Sequence, residues 1–309
     1  MLSLVLSSGP VLAVYLVLGT PPAGPVMETG LPPAHQAVPS TDIWVFPLES
    51  MGAGADPTSG IRATERPGYD NQPHFLPGST ILYYTSIDEA GQADIRSFHL
   101  VTGVSARITQ TAPESEYSAT VMPSGTRFSA IRVEADSAQR LWSFDLSGGT
   151  PAVVLEDIRP VGYHAWLDED RLALFVLGSP ATLQIASVST GTARIAARDI
   201  GRSIYRAPED ETVSFVQWSE GGEGWITSYD PATDTTRPLA PLLEGNEYYA
   251  WTPDGVLLMG VGSRLYRWLP GRADEWTEVI DLGPAGIEGI SRIAVSPDGA
   301  WIAVVAREG

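Results

Sequence analysis

Tyr163, His164, Arg202, Glu247, Tyr248 and Arg292 bring together two guanidinium forks, a carboxylate, an imidazole and two phenols. They stand at nearly constant distances ahead of a turn that recurs along the chain. A guanidinium holds a carboxylate through two parallel hydrogen bonds. Arg202 and Arg292 are therefore the cations expected to meet an anionic ligand group, and Glu247 beside them would neutralise an empty pocket. Tyrosines such as Tyr117, Tyr163, Tyr205, Tyr248 and Tyr249 are the side chains that anchor interfaces. Catalytic readings have less behind them. His164 and His74 would need carboxylates nearby to hold a metal, and Glu116 and Glu247 are the acids at comparable depth. The same two acids could bracket a sugar as paired glycosidase carboxylates do, but nothing in their spacing specifies it. No GxSxG elbow occurs. The six residues are read as a ligand-binding mouth, with no catalytic residue, metal or cofactor assigned.

The elements that must position them are strands. Short segments with alternating or nearly alternating apolar and polar residues recur at 42–48, 94–100, 140–146, 182–188, 225–231 and 264–270, the pattern of half-buried strands. A second repeat interleaves with them, with anchors at Pro77, Pro123, Asp168, Pro208, Pro253 and Pro297, at intervals of 46, 45, 40, 45 and 44 residues. Proline presets the turn and glycine accepts the positive φ that follows. Repeats of about 40–50 residues with four strands each are blades of a β-propeller. Segment 42–48 is a third strand with no inner strands before it, and 290–306 supplies an inner and a second strand at the other end. The expectation is an all-β, six-bladed β-propeller of four-stranded antiparallel blades, closed by pairing of the N- and C-terminal strands in one composite blade. Five positions before each anchor stand Gln72, Ser118, Tyr163, Ser203, Tyr248 and Arg292; one earlier are Asn71, Tyr117, Gly162, Arg202, Glu247 and Ser291. The column two before the anchor, with Phe75, Trp166 and Trp251, reads as blade-to-blade packing, Arg206 being the exception.

The Pro-Asp-Gly turn at 253–255 and 297–299, the third strand beginning Asp-Ile at 42 and 94, and the Arg-Ile-Thr of 107–109 resemble the TolB-type six-bladed periplasmic propeller repeat. The resemblance covers about residues 42–309. The turns at Asp168–Asp170 and Pro208–Asp210 depart from it. It implies the fold more than the activity, because propellers host scaffolds, lactonases, glycosidases and peptidase gating domains alike. A calcium-dependent lactonase needs a Glu, an Asn and an Asp converging on the channel. Glu116 or Glu247 with Asn71 supplies part of that set, without an inner-strand Asp. The expected function is a non-enzymatic module binding a protein or peptide at its channel mouth. The alternative is a channel-mouth hydrolase or lyase acting on a carbohydrate or lactone through Glu116, His164, Arg202, Glu247 and Arg292.

Composition sets the partners. The 309-residue chain has a net charge of −18, all 19 basic residues are arginine, and cysteine is absent. Such a balance repels nucleic acid and anionic membrane surfaces, and it removes disulfides, thiol chemistry and Cys-ligated zinc. Residues 1–19 read as a signal peptide or N-terminal hydrophobic segment, apolar from Leu2 to Leu18 but without a positive start. Residues 20–41 read as a Pro-rich linker. The expected product is a periplasmic or secreted monomer with no stable membrane insertion once processed.

Overall fold

The computed structural model describes residues 39–52, 55–208 and 210–307. The segments assigned as signal peptide and, up to residue 38, as linker lie outside them. The chain is all-β. Strands β1 (Thr41–Pro47) and β2 (Ile61–Arg62) precede β3 (Tyr69–Phe75), β4 (Ile81–Ile87), β5 (Ala93–His99) and β6 (Ser105–Arg107). Next come β7 (Ser115–Val121), β8 (Arg127–Val133), β9 (Gln139–Asp145), β10 (Ala152–Val153), β11 (Val161–Trp166), β12 (Arg171–Val176), β13 (Thr182–Ser187) and β14 (Thr192–Arg198). The remainder are β15 (Ile200–Arg206), β16 (Val213–Trp218), β17 (Gly224–Asp230), β18 (Thr235–Pro241), β19 (Tyr249–Trp251), β20 (Leu257–Val261), β21 (Arg264–Trp268), β22 (Thr277–Asp281), β23 (Glu288–Val295) and β24 (Trp301–Arg307).

From β7 to β22 each run of four consecutive strands forms its own antiparallel sheet. The remaining eight strands form one mixed sheet in which β23, β24, β1 and β2 lie on one side and β3 to β6 on the other. The two sides meet at a single parallel pair, Thr41 with Tyr69. β1 runs antiparallel to β24 over seven positions, from Thr41 opposite Arg307 to Pro47 opposite Trp301. The segment at 42–48 thus pairs with the C-terminal strand, as its place in the repeat predicts, and the pairing begins one residue earlier, at Thr41.

Local chemistry explains the repeats. In the turn at 297–299, Asp298 accepts hydrogen bonds from Ser296 Oγ at 2.6 Å and the Ala300 N–H at 3.0 Å, while Gly299 takes φ 70°. Where the anchor is Asp168 instead of proline, its carboxylate does the bending, accepting the Asp170 and Arg171 N–H groups at 2.9 and 2.7 Å. The Asp-Ile strand and the distant threonine form a clip: Thr64 Oγ1 donates to Asp42 at 2.9 Å and accepts the Ile43 N–H at 2.9 Å. Thr109 repeats it, with Asp94 at 3.3 Å and the Ile95 N–H at 2.8 Å. The clip fastens a short outer strand whose own side chains bury little, since β6 is exposed throughout.

Second strands are buried on both faces. The inner five residues of β4, β8 and β24 are all buried, because each such strand is covered by other strands on both faces. The core therefore lies between sheets. Phe175 and Leu183 of one sheet pack with Ile204, Phe215 and Tyr229 of the next. The column two before the anchor behaves as expected: Trp166 Nε1 donates to Ser129 Oγ at 2.8 Å and Trp251 Nε1 to Ser214 Oγ at 2.7 Å, each across to the preceding sheet. Arg206 is exposed. No helix among the described residues is long and apolar enough to cross a membrane.

Candidate functional site

First strands carry a recurrent irregularity. The pairing register shifts between Asn71 and His74, Tyr117 and Thr120, Val161 and Tyr163, Ile200 and Ile204, and Glu288 and Arg292. A bulge adds a residue, bends the strand and re-aims its side chain. Here it lies where the strands converge, and residues of β3, β7, β11, β15 and β23, with the loop ahead of β19, line one shared cavity of about 1600 Å³.

Five of the six sequence-chosen residues line it: Tyr163, Arg202, Glu247, Tyr248 and Arg292. Arg202 Nη1 donates to Glu247 Oε1 at 2.8 Å, and the Arg202 backbone N–H donates to Oε2 at 3.0 Å. Gly201 permits that approach, since a Cβ there would lie 2.5 Å from Glu247 Oε2 and 2.8 Å from Val216 Cβ. Asn246 steadies the loop holding Glu247 and Tyr248, donating to the Gly260 carbonyl at 2.7 Å and accepting the Tyr248 N–H at 2.9 Å. The Arg292 guanidinium lies 4.0 Å from the Tyr248 ring centre and 5.3 Å from that of Tyr163, and its Nη2 donates to Tyr163 Oη at 3.3 Å. Burial alone would raise the Tyr163 hydroxyl, but Arg292, the contact with Tyr248 and Arg202 outweigh it and hold it below the ordinary phenol range. Burial pushes Tyr248 the other way, well above that range.

His164 is not brought to the cavity. It is buried, with Nε2 2.7 Å from Ser129 Oγ. Adjacent strand residues point to opposite faces, so Tyr163 enters the cavity and His164 enters the seam between sheets. Burial, with His74 nearby, lowers its pKa to about 3. His74 is equally committed: its Nε2 accepts the Val121 N–H at 3.0 Å, and burial lowers its pKa to about 4. Glu116 is fully buried away from the cavity wall. Both its oxygens accept from Thr111 Oγ1, at 2.6 and 2.7 Å, and Arg132 lies 3.3 Å away. Burial raises its pKa to about 7 against the pull of those partners. The pairing of Glu116 with Glu247 across a common space is therefore not what the fold builds.

The sequence columns missed part of the wall. Tyr69 begins β3 and lines the cavity, two positions ahead of Asn71 in the aligned columns. The β16–β17 hairpin contributes Trp218, Glu220, Glu223 and Trp225, and the loop before β19 adds Glu244. The acidic, Gly-rich run Ser219–Gly224 was the available signal, but it lies on a different turn from the aligned columns.

The sequence matches no family model and no curated protein. Solved structures nevertheless share its fold. A putative TolB from Agrobacterium tumefaciens aligns over 88% of this chain and 100% of its own, with 13% identity and a TM-score of 0.66. TolB from Acinetobacter baumannii aligns over 88% of this chain and 64% of its own, with 12% identity and a TM-score of 0.58. An oligogalacturonate lyase in complex with manganese aligns over 81% and 80%, with 15% identity and a TM-score of 0.55. Identities this low establish architecture alone. The molecule is a β-propeller with a TolB-like fold.

Proposed function

We propose that the chain is an exported, monomeric, non-enzymatic propeller that binds a protein or peptide through the cavity mouth, with Tyr163, Arg202, Glu247, Tyr248 and Arg292 as its contact residues. Counting the eight-stranded sheet as two blades joined at Thr41 and Tyr69 gives six blades, with β1 as the strand that closes the ring. The seven-residue pairing of β1 with β24 supports that count. Export rests on the apolar stretch from Leu2 to Leu18 and on the TolB resemblance.

The observation that carries the binding reading is the size and lining of the cavity. At about 1600 Å³ it exceeds the roughly 300–1,000 Å³ of sites for small ligands. Its aromatic wall suits the hot spots of protein interfaces. The hydrolase or lyase alternative loses support because Glu116 and His164 are committed elsewhere, leaving Glu247, already bonded to Arg202, as the sole deep carboxylate of the set. The test is enrichment of a random peptide pool on the immobilised full chain and on Gly221→Trp, which places an indole at the mouth, where a Cβ meets only Ser219 Oγ at 3.6 Å. Peptides retained by the first and lost by the second support the reading. Turnover of an oligogalacturonide or a lactone, with no peptide enriched, overturns it in favour of the enzyme.

A further inference from the structure

Arg202 and Arg292 are not equivalent. Arg202 is neutralised by Glu247 through its side chain and its own backbone N–H. Arg292 has no carboxylate within ion-pair distance among the described residues. A guanidinium offers five N–H donors; among the described residues Arg292 makes one hydrogen bond, to Tyr163 at 3.3 Å, and its buried Nε has no partner. Its face rests on the Tyr248 ring instead. Stacking occupies the face of the guanidinium and leaves its planar edge of N–H groups available. Buried donors without partners are rare because they lose hydration and gain nothing in return. A ligand that completes this edge removes that deficit.

We propose that Arg292 anchors the free C-terminal carboxylate of a bound peptide, and that the acidic rim selects a basic residue shortly before that end. This deepens the mouth-binding reading and rests on it. The chemistry follows from the charges on the wall. Arg292 matches one carboxylate bidentately, whereas Glu220, Glu223 and Glu244 are all exposed around it. A polyanion entering the mouth would face those acids and a chain of net charge −18. A ligand with one terminal negative charge and a positive charge further out is complementary at both depths. Arg307, the third arginine on the wall, is exposed and solvated, so it competes weakly for the same anion. A chain end also fits the geometry: Arg292 is half-buried below an exposed rim, and a terminus reaches it with one strand through the mouth. An internal Asp or Glu would require the peptide to enter and leave. The Tyr163 and Tyr248 hydroxyls flank the anchor and supply further hydrogen bonds to the last peptide unit.

The probes are dye-labelled hexapeptide pools with arginine third from the end, made as free acids and as C-terminal amides, titrated by fluorescence anisotropy against the full chain. The free acids are expected to bind at least tenfold more tightly than the amides. Arg292→Gln should erase that difference, and Arg292→Lys, which keeps the charge and loses the fork, should retain only part of it. Glu220→Gln with Glu223→Gln should weaken the free acids about threefold and leave acid pools without arginine unchanged. Equal binding of acids and amides, with both lost in Gly221→Trp, overturns the carboxylate anchor while the mouth reading stands. Amidated peptides with an internal aspartate that match the free acids overturn the chain-end assignment. Tighter binding of oligogalacturonate than of any peptide, or no peptide binding at all, overturns the proposal together with the reading beneath it.

Discussion

Gln72 and Ser118 on one side of the cavity, and Tyr163, Tyr248 and Arg292 on the other, hold the same place in the repeat and meet opposite fates. Gln72 and Ser118 adopt φ values of 56° and 55°, a conformation that non-glycine residues seldom take. The Gln72 carboxamide oxygen accepts the Thr85 hydroxyl at 2.7 Å and the Ser118 N–H at 2.8 Å. On that side the polar column joins one sheet to the next. On the other side β11, β23 and the loop ahead of β19 present Tyr163, Arg292 and Tyr248, which meet in the cavity. What differs is the partner: Gln72 lines the cavity too but is held by Thr85 and Ser118 across the seam, whereas Tyr163, Tyr248 and Arg292 contact one another inside it. Residues 163 and 164 repeat the contrast within one strand, with Tyr163 in the cavity and His164 in the seam.

If the fastened side holds the fold and the open side serves a ligand, perturbing them should separate stability from binding. The largest effect is expected from deleting residues 41–47. That removes the fully buried Ile43, Val45 and Phe46, each worth about 1.5–3 kcal/mol of burial. It also opens the edges of β24 and β3. The sum rivals the whole stability of a typical domain, so the variant should show no cooperative thermal transition by circular dichroism. A retained transition would mean that β1 is an accessory strand.

Ser129→Ala comes next. It adds no bulk to the seam but deprives Trp166 Nε1 and His164 Nε2 of their shared partner. Leaving buried polar groups unpaired costs about 1–3 kcal/mol each, so calorimetry should show a midpoint lower by roughly 5–10 °C, with peptide binding at the mouth retained.

Acidification probes the same seam. His74 and His164 stay neutral in the fold down to about 4 and 3, while in the unfolded chain they take up protons near 6.5. Their contribution is present above the unfolded value and is lost as pH falls through 6.5 toward the folded values. Glu116, raised to about 7, works the other way: the fold holds its proton more tightly, so its contribution is present below the unfolded value and is lost as pH rises through 7. Between pH 6.5 and 4.5 two histidines oppose one glutamate. Denaturant melts should show a net loss of about 1.4 kcal/mol per pH unit. Glu116→Gln removes the opposing proton and should make that loss steeper. A slope unchanged in this variant would detach Glu116 from the balance.

The smallest effect is expected on the open side. Arg292→Gln gives up one long hydrogen bond and a stacking contact, so its melting midpoint should fall within about 2 °C of the parent, corresponding to roughly 0.5 kcal/mol. A large drop would make Arg292 a fastening residue, and the contrast between the two sides would fail.

The sequence alone determined the strands, the turns and the repeat, because alternation and Pro-Asp-Gly spacing are local and recur. It also determined that 42–48 belongs beside the C-terminal strand, since only those two pieces lacked their complements. It put five of the six chosen residues around one space by aligning them on the anchor. What it could not determine was the direction of each side chain at a bulge. An inserted residue breaks the two-residue period there, and only the partner strand shows where the register slips. The tertiary structure placed His164 against Ser129, withdrew Glu116 beneath Thr111 and Arg132, and brought the β16–β17 hairpin over the mouth. It also joined Arg202 to Glu247 across two sheets and left Arg292 without a carboxylate among the described residues. Charge pairing between units 45 residues apart is a property of how neighbouring sheets pack, and no single repeat contains it.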